Sequence, residues 1–140
     1  MNYLKKNGEN IMKIQEKINK VIIKTGTVDD FFANARKMAL ALDRRETLNG
    51  TSTITFEDPH DMFKFLSPKR MEVYAAIKHH PDSITNIAKF IERNRSSVSK
   101  DIKELLRAGI VKIDNIVNPG HGRLKIVKLA YPQVVLQASL

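Results

Sequence analysis

The first half of the chain alternates β-branched runs with one amphipathic segment. The run at residues 18–25 is rich in Ile and Val and predicts a strand. Thr27, with Asp30 three positions later, has the spacing of a capping box and predicts a helix that continues to about residue 45. A second β-branched run predicts a short strand at residues 53–56. We therefore expect a strand, a helix and a second strand in that order.

Three helix starts follow in the second half of the chain. Ser67, Ser83 and Asn94 each precede an apolar run at helical spacing. A side-chain oxygen at such a position can accept a hydrogen bond from an unpaired amide of the first helical turn. Gly109 stands where the last of these helices should end, in a position that favours a positive φ. A short helical turn is also expected from Pro59.

Beyond Gly109 the apolar positions alternate instead of following a helical period. The runs 110–117 and 123–131 predict two strands, separated by the turn signal Asn-Pro-Gly-His-Gly at 118–122. Two helices joined by a short turn and followed by a hairpin indicate a winged helix-turn-helix. The apolar run after Pro132 needs a partner, and we expect it to pair within the amino-terminal region or across a dimer interface.

These elements predict an α+β, mainly α fold: a winged helix-turn-helix domain with an N-terminal strand-helix extension and a C-terminal strand. The expected division is a flexible N-terminus at 1–12, an extension involved in dimerisation at 13–65, the DNA-binding domain at 66–131 and the C-terminal strand at 132–140. Met12 is a hypothetical alternative to Met1 as the translation start, because Gly8 and Glu9 can be encoded by a purine-rich ribosome-binding sequence.

Composition narrows the class of protein. The 140 residues include no cysteine, no apolar run long enough to cross a bilayer and no secretory signal, so we expect a cytoplasmic protein without disulfides. The net charge is +9, and it is uneven. Residues 61–140 carry fourteen Lys and Arg against seven Asp and Glu (+7), whereas residues 1–60 carry ten against eight (+2). Attraction to a polyanion is therefore expected in the second half.

Residues 94–111 combine an apolar stripe with a row of Ser, Lys and Arg, which suits a helix that packs on one face and contacts DNA on the other. The alternative for the helix is a solvated face without a DNA contact. The alternative for residues 110–131 is a generic hairpin with exposed cations. The predicted DNA contacts are Arg93, Asn94, Arg95, Ser96, Ser97, Ser99, Lys100 and Lys103 at the recognition helix 95–108, and His121, Arg123 and Lys125 at the wing 118–125.

The segments SPKRMEVY, SITNIAKFIERN and NRSSVSKDIKELLRAGIV resemble the helices and following strand of MarR-type winged-helix regulators. The similarity covers residues 66–131 and is closest to small predicted regulators of the antitoxin-associated kind. It implies a homodimer on a pseudo-palindromic operator. It also implies that the minor groove is contacted by Arg123 and the major groove by Arg95, Ser96, Ser97, Ser99 and Lys100. MarR-type proteins dimerise through long terminal helices, which this chain replaces with a strand and one helix before the domain and a strand after it.

Other functions find less support in the sequence. The four histidines, His60, His79, His80 and His121, lack the spacing of metal ligands, and no nucleophile and base converge, so we expect neither an enzyme nor a cofactor. The main alternative is a protein-interaction module, such as an antitoxin that holds a toxin or another partner protein. Its contact surface would be the apolar face that we otherwise assign to dimerisation: Phe31, Phe32, Met38 and Leu42.

Overall fold

The computed structural model describes residues 19–45 and 51–138. Its elements, in order, are β1 (Lys20–Thr25), α1 (Val28–Asp43), β2 (Thr51–Phe56), α2 (Pro59–Phe65), α3 (Pro68–His79), α4 (Ile84–Phe90), α5 (Arg95–Arg107), β3 (Val111–Asn118), β4 (Gly122–Leu129) and β5 (Gln133–Gln137). They form two compact units, which we call the sheet unit (described residues up to 62 and from 131) and the helix–hairpin unit (residues 63–130). The predicted flexible stretch 1–12 and the alternative start Met12 lie outside the described residues.

The sheet unit is built around β1, which lies between β2 and β5 with all three strands parallel. Val21 and Ile23 on β1 are fully buried, as expected for alternate residues on the covered face of a central strand. The strand predicted at residues 18–25 is confirmed from Lys20 onward. The expected pairing of the C-terminal strand with the amino-terminal region is confirmed as well, because β5 pairs with β1 from Lys20↔Gln133 onward.

The predicted fold class, mainly α with a winged helix-turn-helix domain, is wrong. The described chain contains five helices and five strands, and three of the strands form a parallel sheet. A strand was expected near each of the five, so the error lies in how they pair: the parallel sheet of β1, β2 and β5 was not anticipated. β2 begins at Thr51, two residues before the predicted start, and consists largely of hydroxyl side chains. Hydroxyl-rich segments give little periodic signal, yet their backbone groups pair with β1 as well as those of an apolar strand.

α1 begins where the sequence predicts. The Thr27 hydroxyl accepts a hydrogen bond from the Asp30 amide (3.1 Å), and the Asp30 carboxylate accepts one from the Thr27 amide (3.0 Å), which completes the capping box. Hydrogen bonding of the Asp30 carboxylate with the Thr27 backbone amide, and to a smaller extent with the Thr27 side chain, lowers the pKa of Asp30. The helix ends at Asp43, with Arg44 as its C-cap, close to the predicted end. None of its residues is buried.

The helix–hairpin unit has a core made by three helices and the base of the hairpin. Its fully buried side chains include Val73 and Ile77 on α3, Ile102 and Leu105 on α5, and Val127 on β4. The predicted caps are confirmed, because the Ser67 and Ser83 hydroxyls and the Asn94 side chain each accept a bond from an amide of the helix that follows. These caps fix where α3, α4 and α5 begin.

The hairpin is held to the helices by backbone hydrogen bonds. β3 and β4 pair antiparallel from Val111↔Leu129 to Asn118↔Gly122. The Val127 amide donates to the carbonyl of Asp82, in the segment between α3 and α4, at 2.9 Å. The base of the hairpin is therefore fixed against the helices, while its turn extends beyond the core.

Candidate nucleic-acid interface

α5 has a defined start and end. The Asn94 carboxamide oxygen accepts hydrogen bonds from both the amide and the hydroxyl of Ser96, each at 2.8 Å. The helix runs Arg95–Arg107, one residue short of the predicted end, and Gly109 follows with a φ of 77°. Asn94 therefore serves as the helix cap, and a contact from its side chain to DNA would compete with that bond.

Two opposite faces of α5 have opposite chemistry. Val98, Ile102 and Leu105 are fully buried and fix the packed face. At 100° per residue, the side chains directly opposite recur at intervals of four, three and four residues. We call this set the exposed stripe: Ser96, Lys100, Lys103 and Arg107, all of which are exposed. Arg107 is absent from the predicted DNA contacts, because that prediction concentrated on the first two turns of the helix. It lies three turns after Ser96 and therefore on the same side of the helix.

The other predicted contacts of α5 lie on its flanks. Arg95 is exposed and its Nε donates to the Thr85 hydroxyl on α4 at 3.0 Å. Ser97 is exposed on the opposite flank, whereas Ser99 is half-buried. Thr85 therefore enters the candidate site as a residue that orients Arg95, a role that no sequence spacing indicated.

The Arg93 side chain is engaged in hydrogen bonds within the protein. Its guanidinium donates to the Asp101 carboxylate at 3.0 Å and to the Lys69 carbonyl at 2.9 Å, and its side chain is only 18% exposed. Asp101 also accepts a bond from Arg70 at 3.4 Å. These bonds connect α3, the turn before α5 and α5 itself. The structure therefore separates Arg93 from the exposed cations with which the sequence grouped it.

The hairpin register places the predicted cations of the wing together. Arg123 is opposite Val117 and Lys125 is opposite Asn115, and these pairs share one face of the hairpin because they are two residues apart. His121 lies in the turn between the strands, and all three predicted residues are exposed. The other face carries the Asp114–Lys128 ion pair.

The charge of the helix–hairpin unit is strongly positive. Residues 63–130 contain fourteen Lys and Arg and six Asp and Glu, a net charge of +8. Several of the carboxylates are already engaged, including Asp101 with two arginines and Glu104 with Arg107. Within the part of the chain that the structure describes, no ion pair involves Lys100, Lys103, Arg123 or Lys125. The positive charge of these side chains is therefore available to a polyanion.

A family model matches residues 65–136, which is slightly more than half of the chain. The chain belongs to the HVO_A0114 family. A comparison with curated proteins finds no match. The HVO_A0114 match includes every predicted DNA-contacting residue and excludes the predicted dimerisation face on α1. Because the family name states no activity, the MarR-type resemblance and the role of the exposed cations stay predictions.

Among the described residues, no three His, Cys, Asp or Glu side chains are grouped so that they could hold a metal ion. His80 lies near Asp82, with Nε2 3.6 Å from the carboxylate, and stacks on Phe90 with ring centroids 6.1 Å apart. None of the helices in the described ranges has both the length and the apolar character required to cross a membrane.

Proposed function

We propose that this protein binds double-stranded DNA and regulates transcription, with α5 in the major groove. The observation that carries the proposal is the exposed stripe, which holds a serine, two lysines and an arginine and no carboxylate. α5 has 13 residues and is therefore about 20 Å long. The major groove, about 12 Å wide, admits a helix of this diameter. Lysine, arginine and serine can all contact phosphate oxygens at its edges.

Arg95 is the residue best placed to read a base. An arginine has five N–H donors, and the bond from Nε to Thr85 uses one of them. The four Nη donors stay available and their plane is restrained by that bond. A restrained guanidinium loses less entropy when it donates two parallel bonds to O6 and N7 of guanine. We therefore assign base selection to Arg95 and backbone contacts to Lys100, Lys103 and Arg107.

The hairpin would supply the second contact. Arg123 and Lys125 project from one of its faces, with His121 at the turn, and such an arrangement suits phosphates beside the groove or the minor groove itself. In this proposal the protein acts as a homodimeric repressor that occupies an operator. It performs no catalysis and needs no cofactor, and the half-sites lie about one helical turn apart because a two-fold dimer places both copies of α5 on one side of the DNA.

The test is fluorescence anisotropy of the full chain on its own upstream promoter and on a scrambled duplex, each over a salt series. A dimer that contacts about eight phosphates should give a slope of log K against log salt near −7. Lys103→Ala should weaken binding to both duplexes similarly and flatten the slope by about one unit for each phosphate that this lysine neutralises. Arg95→Ala should weaken promoter binding about 10-fold to 100-fold and reduce the preference for the promoter.

Lys78→Ala is the matched control, because it removes the same charge from the exposed end of α3 and leaves α5 intact. Lys78→Ala should bind like the parent chain. If both duplexes bind equally and binding disappears at physiological salt, the protein makes only nonspecific contact with DNA. If neither duplex binds, the proposal is wrong and the protein-interaction function becomes the better explanation.

A further inference from the structure

The strongest unexplained feature outside α5 is the apolar surface of α1. Phe31, Phe32, Met38 and Leu42 are each at least 40% exposed, and no residue of the helix is buried. The rings of Phe31 and Phe32 contact each other edge to face, with centroids 5.7 Å apart. A soluble protein seldom leaves two adjacent phenylalanines and a continuous apolar face in water unless that face meets a partner.

The spacing on this face is that of a helix that packs against another helix. Val28, Phe31, Ala35, Met38 and Leu42 follow at intervals of three, four, three and four residues. This is the a and d pattern of two heptads, and we call these five residues the α1 seam. Ala35 lies at the middle of the seam, where a small side chain lets two helix backbones approach closely.

The charges on α1 and on the two residues that follow it favour a second copy as the partner and set its direction. Residues 28–35 carry two carboxylates, Asp29 and Asp30, and no Lys or Arg, for a net charge of −2. Residues 36–45 carry four Lys and Arg and one Asp, for a net charge of +3. Two copies of α1 side by side in the same direction would place like charges together. Two copies in opposite directions place each negative half beside a positive half and also oppose the helix dipoles.

We propose that α1 pairs antiparallel with α1 of a second copy, about a two-fold axis near Ala35. Val28 of one copy then lies opposite Leu42 of the other, and Phe31 lies beside Met38. This pairing rests on the proposed homodimer and adds where and in which direction the two copies meet. The tests below use no DNA, so their failure would leave the DNA-binding proposal to be judged by its own assay.

The first test compares two identical substitutions on the same helix. Leu42 belongs to the α1 seam, whereas Leu40 is similarly exposed, 54% against 46%, and lies outside it. Sedimentation equilibrium of the full chain should give a two-copy mass at micromolar concentration. Leu42→Gln should raise the dissociation constant at least tenfold, because a symmetric dimer loses two buried leucines, and Leu40→Gln should leave it unchanged. If Leu40→Gln weakens the dimer as much as Leu42→Gln, the seam is not the interface.

The second test fixes the direction of the pairing. The chain has no cysteine, so every disulfide would come from introduced residues. Under oxidising conditions, Ala35→Cys should form a covalent dimer, as should a mixture of Val28→Cys with Leu42→Cys. Val28→Cys alone should not, because the two copies of residue 28 are about 21 Å apart along an antiparallel pair and a disulfide needs Cα atoms within about 7 Å. A covalent dimer of Val28→Cys alone would establish a parallel pair and overturn the proposal. A one-copy mass without crosslinks would also overturn it and would indicate that this chain covers its own seam, for example with residues 1–18.

Discussion

The ion pairs of Asp101 give the sharpest prediction about stability. Its carboxylate lies 3.4 Å from Arg70 and 3.0 Å from Arg93, and the three side chains are only 15–18% exposed. Asp101→Asn removes the charge with little change in volume. Both guanidinium groups would keep one bond to a backbone carbonyl, from Arg70 to Phe65 and from Arg93 to Lys69, each 2.9 Å. Neither arginine would keep a carboxylate partner.

The expected cost follows from distance and exposure. At an effective dielectric constant of about 20, each contact contributes roughly 5 kcal/mol of Coulomb attraction, most of which is offset by the hydration that the charges lose on folding. Exposed pairs contribute about 0 to 1 kcal/mol, and breaking a fully buried pair costs about 3 to 5 kcal/mol. The Asp101 site lies between these limits. We therefore expect Asp101→Asn to lower the free energy of unfolding by about 2 kcal/mol.

The measurement is urea unfolding followed by circular dichroism at pH 7. Glu104→Gln is the matched control, because it neutralises the carboxylate of an exposed pair on the same helix, Glu104 with Arg107 at 3.0 Å, and should cost about 0.5 kcal/mol or less. The dependence on urea concentration should stay the same in both variants. Equal small costs would show that water screens the Asp101 pairs as fully as the exposed one, and the reasoning from burial would be refuted.

Two further predictions concern a turn and an acid-sensitive group. Gly109→Ala should cost about 1 kcal/mol, because Gly109 has a φ of 77° and a Cβ there meets no atom within 4 Å, so the cost is backbone strain alone. Gly109→Asn should cost less, and equal costs in urea unfolding would argue against that cause. Hydrogen bonds from the Asn86 side chain and the Ser83 amide lower the pKa of Asp82. The stability from these bonds is present above about pH 4, the ordinary pKa of an unfolded Asp, and is lost as the pH falls through the lower folded value. Asp82→Asn should therefore flatten the decline of the unfolding midpoint below pH 4, and an unchanged decline would contradict the assignment.

Local features of the fold could be predicted because they depend on neighbours in the chain. The capping box of Thr27 and Asp30, the caps at Ser67 and Asn94, and the left-handed Gly109 each involve groups within a few residues of one another. The sequence alone is sufficient to recognise such contacts. The pairing of β5 with β1 was expected in general terms because a terminal apolar strand needs an edge, but its parallel direction was not.

The sequence was least informative where residues that are not neighbours in the chain meet. The sequence groups Arg93 with the cations predicted to contact DNA. The structure shows that its guanidinium lies 3.0 Å from the carboxylate of Asp101, eight positions later in the chain. The apolar face of α1 was visible in the sequence, whereas the finding that none of its residues is buried within the described ranges could not be deduced from periodicity. The parallel sheet stayed hidden because Thr51 and its neighbours pair through the backbone, which leaves no pattern in the side chains.

The pairing of β1 with β5 has a consequence for the time course of folding. Lys20 and Gln133 are paired although they are 113 positions apart in the sequence. All residues of the helix–hairpin unit come between them along the chain. Contacts between neighbouring segments form faster than contacts across long loops, so residues 63–130 should fold first and shorten the flexible loop that this pairing must close. Until then one edge of β1 has no partner strand. We expect the pairing of β5 with β1 to be the slow step of folding. Until it occurs, the unpaired edge of β1 should be the part of the chain most prone to aggregate or to bind a chaperone.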